Sequence, residues 1–316
     1  MADRVLVTGG GGFIGHHLAW RLLEEGTEVA ILDDFSRSKP DQDFERLRQH
    51  ALVVEHDLRL PIPAGLLSGD FDGVYHLAAV VGVQRTIENP VHVLRTNVVS
   101  TLNLLDWCSS QPPGMLFFSS TSEVADGAVA TGLTGLPAPE SVPYVAAELW
   151  APRTSYSLSK ATGELLVMQY AEDFPVRIGR YHNVYGPRMG NSHVIPQFLR
   201  RALDGVDPFP VYGADQTRAY CYVADAVSAT VAVAQSAGAS VVVNIGNDTE
   251  EITARDLADR VFEVASVQPR VEIFAPPPGS PERRLPDLTT LRGLTGYQPR
   301  VPLDQGLRLT YEWYAR

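Results

Sequence analysis

The sequence predicts a doubly wound α/β fold, one parallel sheet with helices on both faces. Three observations carry that prediction. Short apolar strand patterns alternate with helix-period segments, the first strand runs into a glycine-rich turn, and the polar residues of note fall just beyond strand ends. Strands are predicted at Arg4–Thr8, Val29–Asp33, Leu52–Glu55, Gly73–Leu77, Met115–Ser119 and Val176–Arg180. Between them Phe13–Glu25, Asn89–Cys108 and Tyr156–Phe174 have helical period. Near-continuous apolar strands joined through helices belong to parallel sheets, which are buried on both sides. Ligands in such sheets lie beyond the carboxyl ends of the strands. Those ends carry Asp33, Asp57, Leu77-Ala78-Ala79, Ser119-Ser120-Thr121 and Tyr181-His182-Asn183.

The opening unit is Val5-Leu6-Val7-Thr8-Gly9-Gly10-Gly11-Gly12-Phe13-Ile14-Gly15. Gly9 permits the tight turn, Gly12 lets the backbone approach a pyrophosphate, and Gly15 lets the helix pack close on the strand. A pyrophosphate would sit on the free N–H groups at the helix start, around Phe13 and Ile14, where the dipole favours an anion. About 20 residues on, the second strand ends in Asp33-Asp34. An acid there accepts hydrogen bonds from an adenosine ribose and repels a 2′-phosphate, so the expected cofactor is NAD and not NADP. The fold is therefore Rossmann-type.

At 316 residues the chain can bury a large core. A net charge of −11 without a basic run argues against nucleic acid, so anionic ligands must be held by individual arginines and helix ends. Two cysteines, Cys108 and Cys221, exclude a disulfide framework or a cysteine zinc site, and no His/Asp/Glu spacing suggests a metal. The first strand is predicted to begin by Arg4, which leaves no room for a signal peptide. Ala226 to Gly246 lacks charge, but Gln235, Ser236, Gly238 and Ser240 interrupt it, so it reads as helix, turn and the strand Ser240–Ile245, not as a membrane span. A cytoplasmic protein is expected. Residues 1–178 are expected to form the NAD-binding domain. Residues 179–316, richer in Pro and Gly, form a smaller substrate-binding lobe interleaved with it, with helices near Val194–Leu203, Ala254–Val264 and Leu303–Tyr314.

Tyr156 and Lys160 open the third helix four residues apart, so they share a face. A lysine ammonium one turn away would stabilise a phenolate and make Tyr156 a usable proton acceptor.

The glycine motif, Asp33, Asp57, Leu77-Ala78-Ala79, Asn97, the Ser/Thr cluster before Glu123, and Tyr156/Lys160 together resemble the extended short-chain dehydrogenase/reductases. That family acts mainly on nucleotide sugars, and the likeness spans nearly the whole chain. It implies that Asp57 and Leu58 lie against adenine and that Ala78 and Ala79 line the nicotinamide side. Leu77, Asn97, Ser119 and Tyr181 are further cofactor-side candidates. Thr121 would hydrogen-bond the sugar 4-hydroxyl.

The segment Ser120-Thr121-Ser122-Glu123-Val124 is similar to that of NDP-glucuronate decarboxylases and NDP-hexose 4,6-dehydratases, which need acid/base work at C5 after C4 is oxidised. Asn183-Val184-Tyr185-Gly186-Pro187-Arg188-Met189, the run Gln216–Val223, and Arg283-Arg284-Leu285-Pro286-Asp287 resemble the decarboxylases. The resemblance implies substrate contacts from Asn183, Tyr212 on the nucleotide base, and Arg218 and Arg284 on diphosphate oxygens or a sugar carboxylate. Three departures stand out. Val124-Ala125-Asp126-Gly127 replaces the usual Val-Tyr-Gly, which removes a tyrosine and makes Asp126 a candidate for a catalytic role. The segment Val80–Pro90 looks more like that of 4-epimerases, and His193 stands where the decarboxylases tend to have arginine.

The expectation is an NAD-dependent NDP-glucuronate decarboxylase, UDP or TDP, working through a 4-keto intermediate with Thr121, Tyr156, Lys160, Glu123 and Arg284. The alternatives are an NDP-sugar 4-epimerase or 4,6-dehydratase and, more remotely, a non-catalytic NAD-binding regulator. The resemblance leaves a homodimer open.

Overall fold

The computed structural model describes residues 4–37 and 41–316. Strand β1 (Arg4–Thr8), helix α1 (Phe13–Glu24), β2 (Glu28–Asp33), α2 (Gln42–Arg48), β3 (Leu52–Glu55) and β4 (Gly73–His76) come first. Then follow α3 (Val83–Glu88), α4 (Pro90–Ser110), β5 (Leu116–Thr121), α5 (Glu123–Ala130), α6 (Thr154–Met168) and β6 (Val176–Tyr181). The remainder is β7 (Val184–Tyr185), α7 (Val194–Leu203), β8 (Phe209–Tyr212), β9 (Thr217–Ala219), β10 (Cys221–Tyr222) and α8 (Val223–Ala234). Last come β11 (Val241–Ile245), β12 (Glu251–Thr253), α9 (Ala254–Ala265), β13 (Val271–Phe274), β14 (Arg283–Arg284), α10 (Thr289–Thr295) and α11 (Leu303–Tyr314).

Seven strands form one parallel sheet in the order β11-β6-β5-β4-β1-β2-β3. Strand alternation sends successive side chains to opposite faces. Val5, Val7, Val29, Ile31 and Phe117 face one core, while Leu6, Ala30, Leu32, Leu116 and Phe118 face the other. Helices α1 and α8 pack together, and α4 packs along α6. The strand order reverses between β1 and β4, and a crevice opens there beyond the strand ends.

Two predicted helices end differently, each for a local reason. The helix expected over Asn89–Cys108 is α4, which starts at Pro90, where the missing N–H costs nothing, and runs to Ser110; α3 before it was not expected. Helix α6 stops at Met168 and not Phe174, since Phe174 precedes Pro175 and a residue before proline is pushed out of the helical region. Helix α5 was not expected; it carries Glu123 and Asp126 in its first turn, where the dipole favours acids. Strand β11 lies late in the chain yet completes the sheet, pairing Val241 with Arg177 through Ile245 with Tyr181.

The remaining small sheets are β7/β10, β8/β13 and β12-β9-β14. In the last of these the register sets Arg284 beside Arg218. Among the described residues no helix is long and apolar enough to cross a membrane.

Helix α6 approaches β5 closely because residue 163 is glycine: a Cβ there would lie 2.3 Å from Cζ of Phe118. A Gly163→Val variant should lose about 1–3 kcal/mol to overpacking, read from denaturant unfolding. It should also lose turnover, because the same helix carries Tyr156 and Lys160. A variant as stable and as active as the parent would contradict this packing.

Candidate active site

The crevice is a cleft of about 620 Å³ lined from both parts of the chain. Its first wall is the glycine turn. Gly9 has φ +74° and lies against the Ala78 backbone, and a Cβ on Gly15 would meet the Gly9 carbonyl at 2.3 Å. Gly12, Phe13, Ile14 and Gly15 line the cleft at the start of α1. No side chain caps this helix and its first turn holds no acid, so its N-terminal N–H groups remain for an anion. Asp33 is fixed by N–H donation from Gly11 to Oδ2 at 2.9 Å and from Phe35 to Oδ1 at 2.8 Å. Burial raises its pKa, opposed by those two bonds. Asp34 lines the same end. Asp57 also lines it, its carboxylate taking the Arg59 guanidinium at 2.7 Å, with Leu58 beside it. An uncapped helix end followed by an oriented acid fits a dinucleotide: the pyrophosphate on α1 and a ribose at Asp33.

Leu77, Ala78, Ala79, Ser119, Tyr156, Lys160 and Tyr181 line the middle of the cleft. Lys160 donates to the Ser119 carbonyl at 2.8 Å and lies 5.0 Å from the centre of the Phe118 ring. Burial brings its pKa down to about 7, with Glu164 acting to raise it. Tyr156 is pushed well above its usual range by burial and then by the charge of Glu123. The groups that favour its phenolate are Thr121, by hydrogen bond, and Arg37 and Arg284 by charge. Lys160 is held here by the strand carbonyl, a partner that helical spacing did not show.

Thr121 and Glu123 lie at the sugar-facing end, and Asn183, Arg218 and Arg284 line the same wall. Glu123 accepts from Arg153 at 3.2 Å and lies 3.9 Å from Arg284. Asp126 grips Arg284 through both carboxylate oxygens, Oδ1 to Nε at 3.1 Å. Arg218 donates to the carbonyls of Thr217 and Pro281, at 2.7 and 2.5 Å. Burial, then the charge of Arg284, brings the Arg218 pKa down to about 10.

Three candidates, Tyr212, Asn97 and Asp126, fall outside the cleft lining. Tyr212 is half-exposed on β8, stacked on Phe274 with ring centres 5.1 Å apart, because β8 pairs with β13 away from the crevice. Asn97 is buried on α4, where it holds both the N–H and the carbonyl of Val80 and meets Ser159 at 3.0 Å. It fixes the loop after β4 from behind. Asp126 touches the cleft through Arg284. His193 lines the cleft at the start of α7, and burial, then Arg37, lowers its pKa to about 4.

Sequence reading missed several arginines. Arg153 stands three residues before Tyr156, one turn back on the same stripe, so helical spacing could have found it. Arg37 reaches across to the Ala79 carbonyl at 3.1 Å. Arg188, at φ +67°, spans from the Gly11 carbonyl to Asp41. No local pattern announces the contact of Arg37, and the run Asn183–Met189 that contains Arg188 gives no sign of its partners, since each contact bridges distant segments.

A family model described as the NAD dependent epimerase/dehydratase family matches residues 5–246. The chain belongs to that family. It is 33% identical to the UDP-N-acetyl-alpha-D-glucosaminuronate decarboxylase of Bacillus cytotoxicus, over 99% of this chain and 98% of that one. It is 31% identical to UDP-glucuronic acid decarboxylase 1 of Danio rerio, over 99% of this chain and 73% of the relative. Among solved structures it resembles the UDP-glucose 4-epimerase of Thermotoga maritima with UDP-glucose, at TM-score 0.84, 28% identity and 98% of each chain. It also resembles MoeE5 in complex with UDP-glucuronic acid and NAD, at TM-score 0.84, 26% identity and 98% of each chain. This family member is an NAD-dependent, nucleotide-sugar-modifying enzyme of the extended short-chain dehydrogenase/reductase group.

Proposed function

We propose that this enzyme decarboxylates an NDP-glucuronate, uridine or thymidine, through a 4-keto intermediate. One observation carries the reading. Glu123 sits beside the Tyr156–Thr121 pair, 3.2 Å from Arg153 and 3.9 Å from Arg284. Oxidation and reduction at C4 alone need only a proton acceptor for the hydroxyl. A carboxylate flanked by guanidinium groups is chemistry for a neighbouring carbon that carries its own carboxylate. The full-length likeness to two decarboxylases that act on uronic acids supports it.

NAD held by the α1 N-terminus and Asp33 would supply the hydride acceptor for C4 and the donor that restores it. The chain's own residues do the rest. Tyr156, with Thr121 on its hydroxyl, takes the C4-hydroxyl proton. Arg284 and Arg37 favour the phenolate that results by losing its own proton to solvent, and Lys160 holds the strand carbonyl behind it. With C4 a ketone, the sugar acid is a β-keto acid. The C5–C6 bond breaks, carbon dioxide leaves, and the electron pair moves onto the C4 oxygen. Tyr156 and Thr121 face that developing oxyanion, the arrangement that lowers such barriers. Glu123 is the candidate to pass a proton from solvent to C5, and Arg153 and Arg284 are the candidates to hold the carboxylate beforehand.

The test is mass spectrometry of the protein with NAD and, separately, UDP- and TDP-glucuronate. A product lighter by carbon dioxide is expected, as pentose, 4-keto pentose or both. Unchanged mass with inverted C4 would overturn the proposal in favour of a 4-epimerase, a reading favoured by the cleft-lining segment from Val80 to Thr86. Glu123→Gln discriminates further. It is expected to slow decarboxylation by about 10²-fold, the low end for loss of a general acid, whereas an epimerase would keep its rate.

A further inference from the structure

We propose that Asp126 is a resident anion: it holds Arg284 in the ligand-free enzyme and competes for it with an anionic group of the nucleotide sugar. That group is a phosphate of the diphosphate or a carboxylate of the sugar. The proposal rests on nucleotide-sugar binding and not on decarboxylation.

Arg284 lines the cleft with its side chain 12% exposed, and Asp126 occupies its two-pronged face, Nε and Nη2 together. Bidentate guanidinium recognition of a carboxylate or phosphate uses such a face. A second anion can take it only by displacing Asp126. The neighbours are already arranged for an anion. Arg218 lies beside Arg284 in strand register, and Arg153 stands across Glu123. Arg218 is occupied by neutral carbonyl oxygens, which a charged oxygen outcompetes, whereas Arg284 is occupied by a charge. Asp126 also comes from α5 and Arg284 from β14, so the pair ties the two walls of the cleft together until a ligand replaces it. Nothing in this arrangement asks Asp126 to touch a reacting atom. It is a residue that sets affinity and charge preference.

The test is calorimetric titration of wild type and Asp126→Asn with UDP, UDP-glucose and UDP-glucuronate, and with the thymidine counterparts. Removing a charge that competes for Arg284 should tighten the anionic ligand about tenfold, the lower range seen for close charge pairs. Equal tightening of all three ligands supports the proposal and assigns Arg284 to the diphosphate. Tightening of the uronate alone supports it and assigns Arg284 to the carboxylate. Unchanged or weaker binding of all three overturns it and leaves Asp126 a structural partner. Thermal unfolding guards against a variant that folds poorly: Asp126→Asn should melt below wild type without ligand and recover toward it at saturation. A deficit that persists at saturation overturns the proposal too. Failure to decarboxylate would leave every one of these readings intact, so the two proposals fall separately.

Discussion

Tyr156→Phe is expected to lower kcat by about three orders of magnitude, the span of general acid–base catalysis, while leaving binding of NAD and nucleotide sugar within a few-fold of wild type. The hydroxyl is buried, raised in proton affinity by burial and by Glu123, and brought back by Thr121, Arg37 and Arg284. Deleting it removes the atom that receives the C4 proton and leaves the walls of the cleft in place. Stability should hold or rise slightly, because a buried polar group beside a carboxylate is lost. Single-turnover absorbance of the reduced nicotinamide checks the step directly. Retention of a tenth of the wild-type rate would remove Tyr156 from the proposed chemistry.

The second large effect is expected about two turns further along α6. Glu164 takes Arg180 through two hydrogen bonds, at 2.9 and 2.8 Å, and accepts from the Ser120 hydroxyl at 2.5 Å. All three side chains are buried. Glu164→Gln leaves a guanidinium without its counter-charge, which costs about 3 kcal/mol or more, measurable as a lower denaturant midpoint. It should also move the pH profile, in a direction fixed by Lys160. Burial holds the Lys160 pKa at about 7, and Glu164 is the charge that opposes that fall. The other titratable group facing Lys160 is His76, itself held neutral by burial, with its pKa down at about 3. Without Glu164 the ammonium persists only at lower pH, so activity that needs it should be lost first near neutrality and kept best on the acid side. A lower midpoint with an unshifted pH profile would leave Glu164 a structural residue only.

Much of the fold was legible because its signals are local. The unbroken apolar runs of β1, β2 and β5 follow from burial on both faces, and the glycine turn is set by a close approach that no side chain tolerates. Asp33 and the Tyr156/Lys160 spacing could be read for the same reason. The charge arrangement could not. Lys160 was expected to act on Tyr156 because they share a helix face, but the strand carbonyl of Ser119 competes for the ammonium. Asp126 and Arg284 are joined across 158 positions of sequence, and neither residue's neighbours in the chain predict the other. The facing of Tyr212 could not be read, because a loop-rich lobe gives no period from which to judge β8.

Strand β11, which covers β6 and is itself the outer strand of the sheet, is made only when synthesis reaches Val241–Ile245. Until then the emerging chain carries a flat, apolar strand edge with unpaired N–H and carbonyl groups, the kind of surface on which nascent chains pair with one another. Arg284 comes later still, so the chain needs nearly its whole length before both walls of the cleft are present.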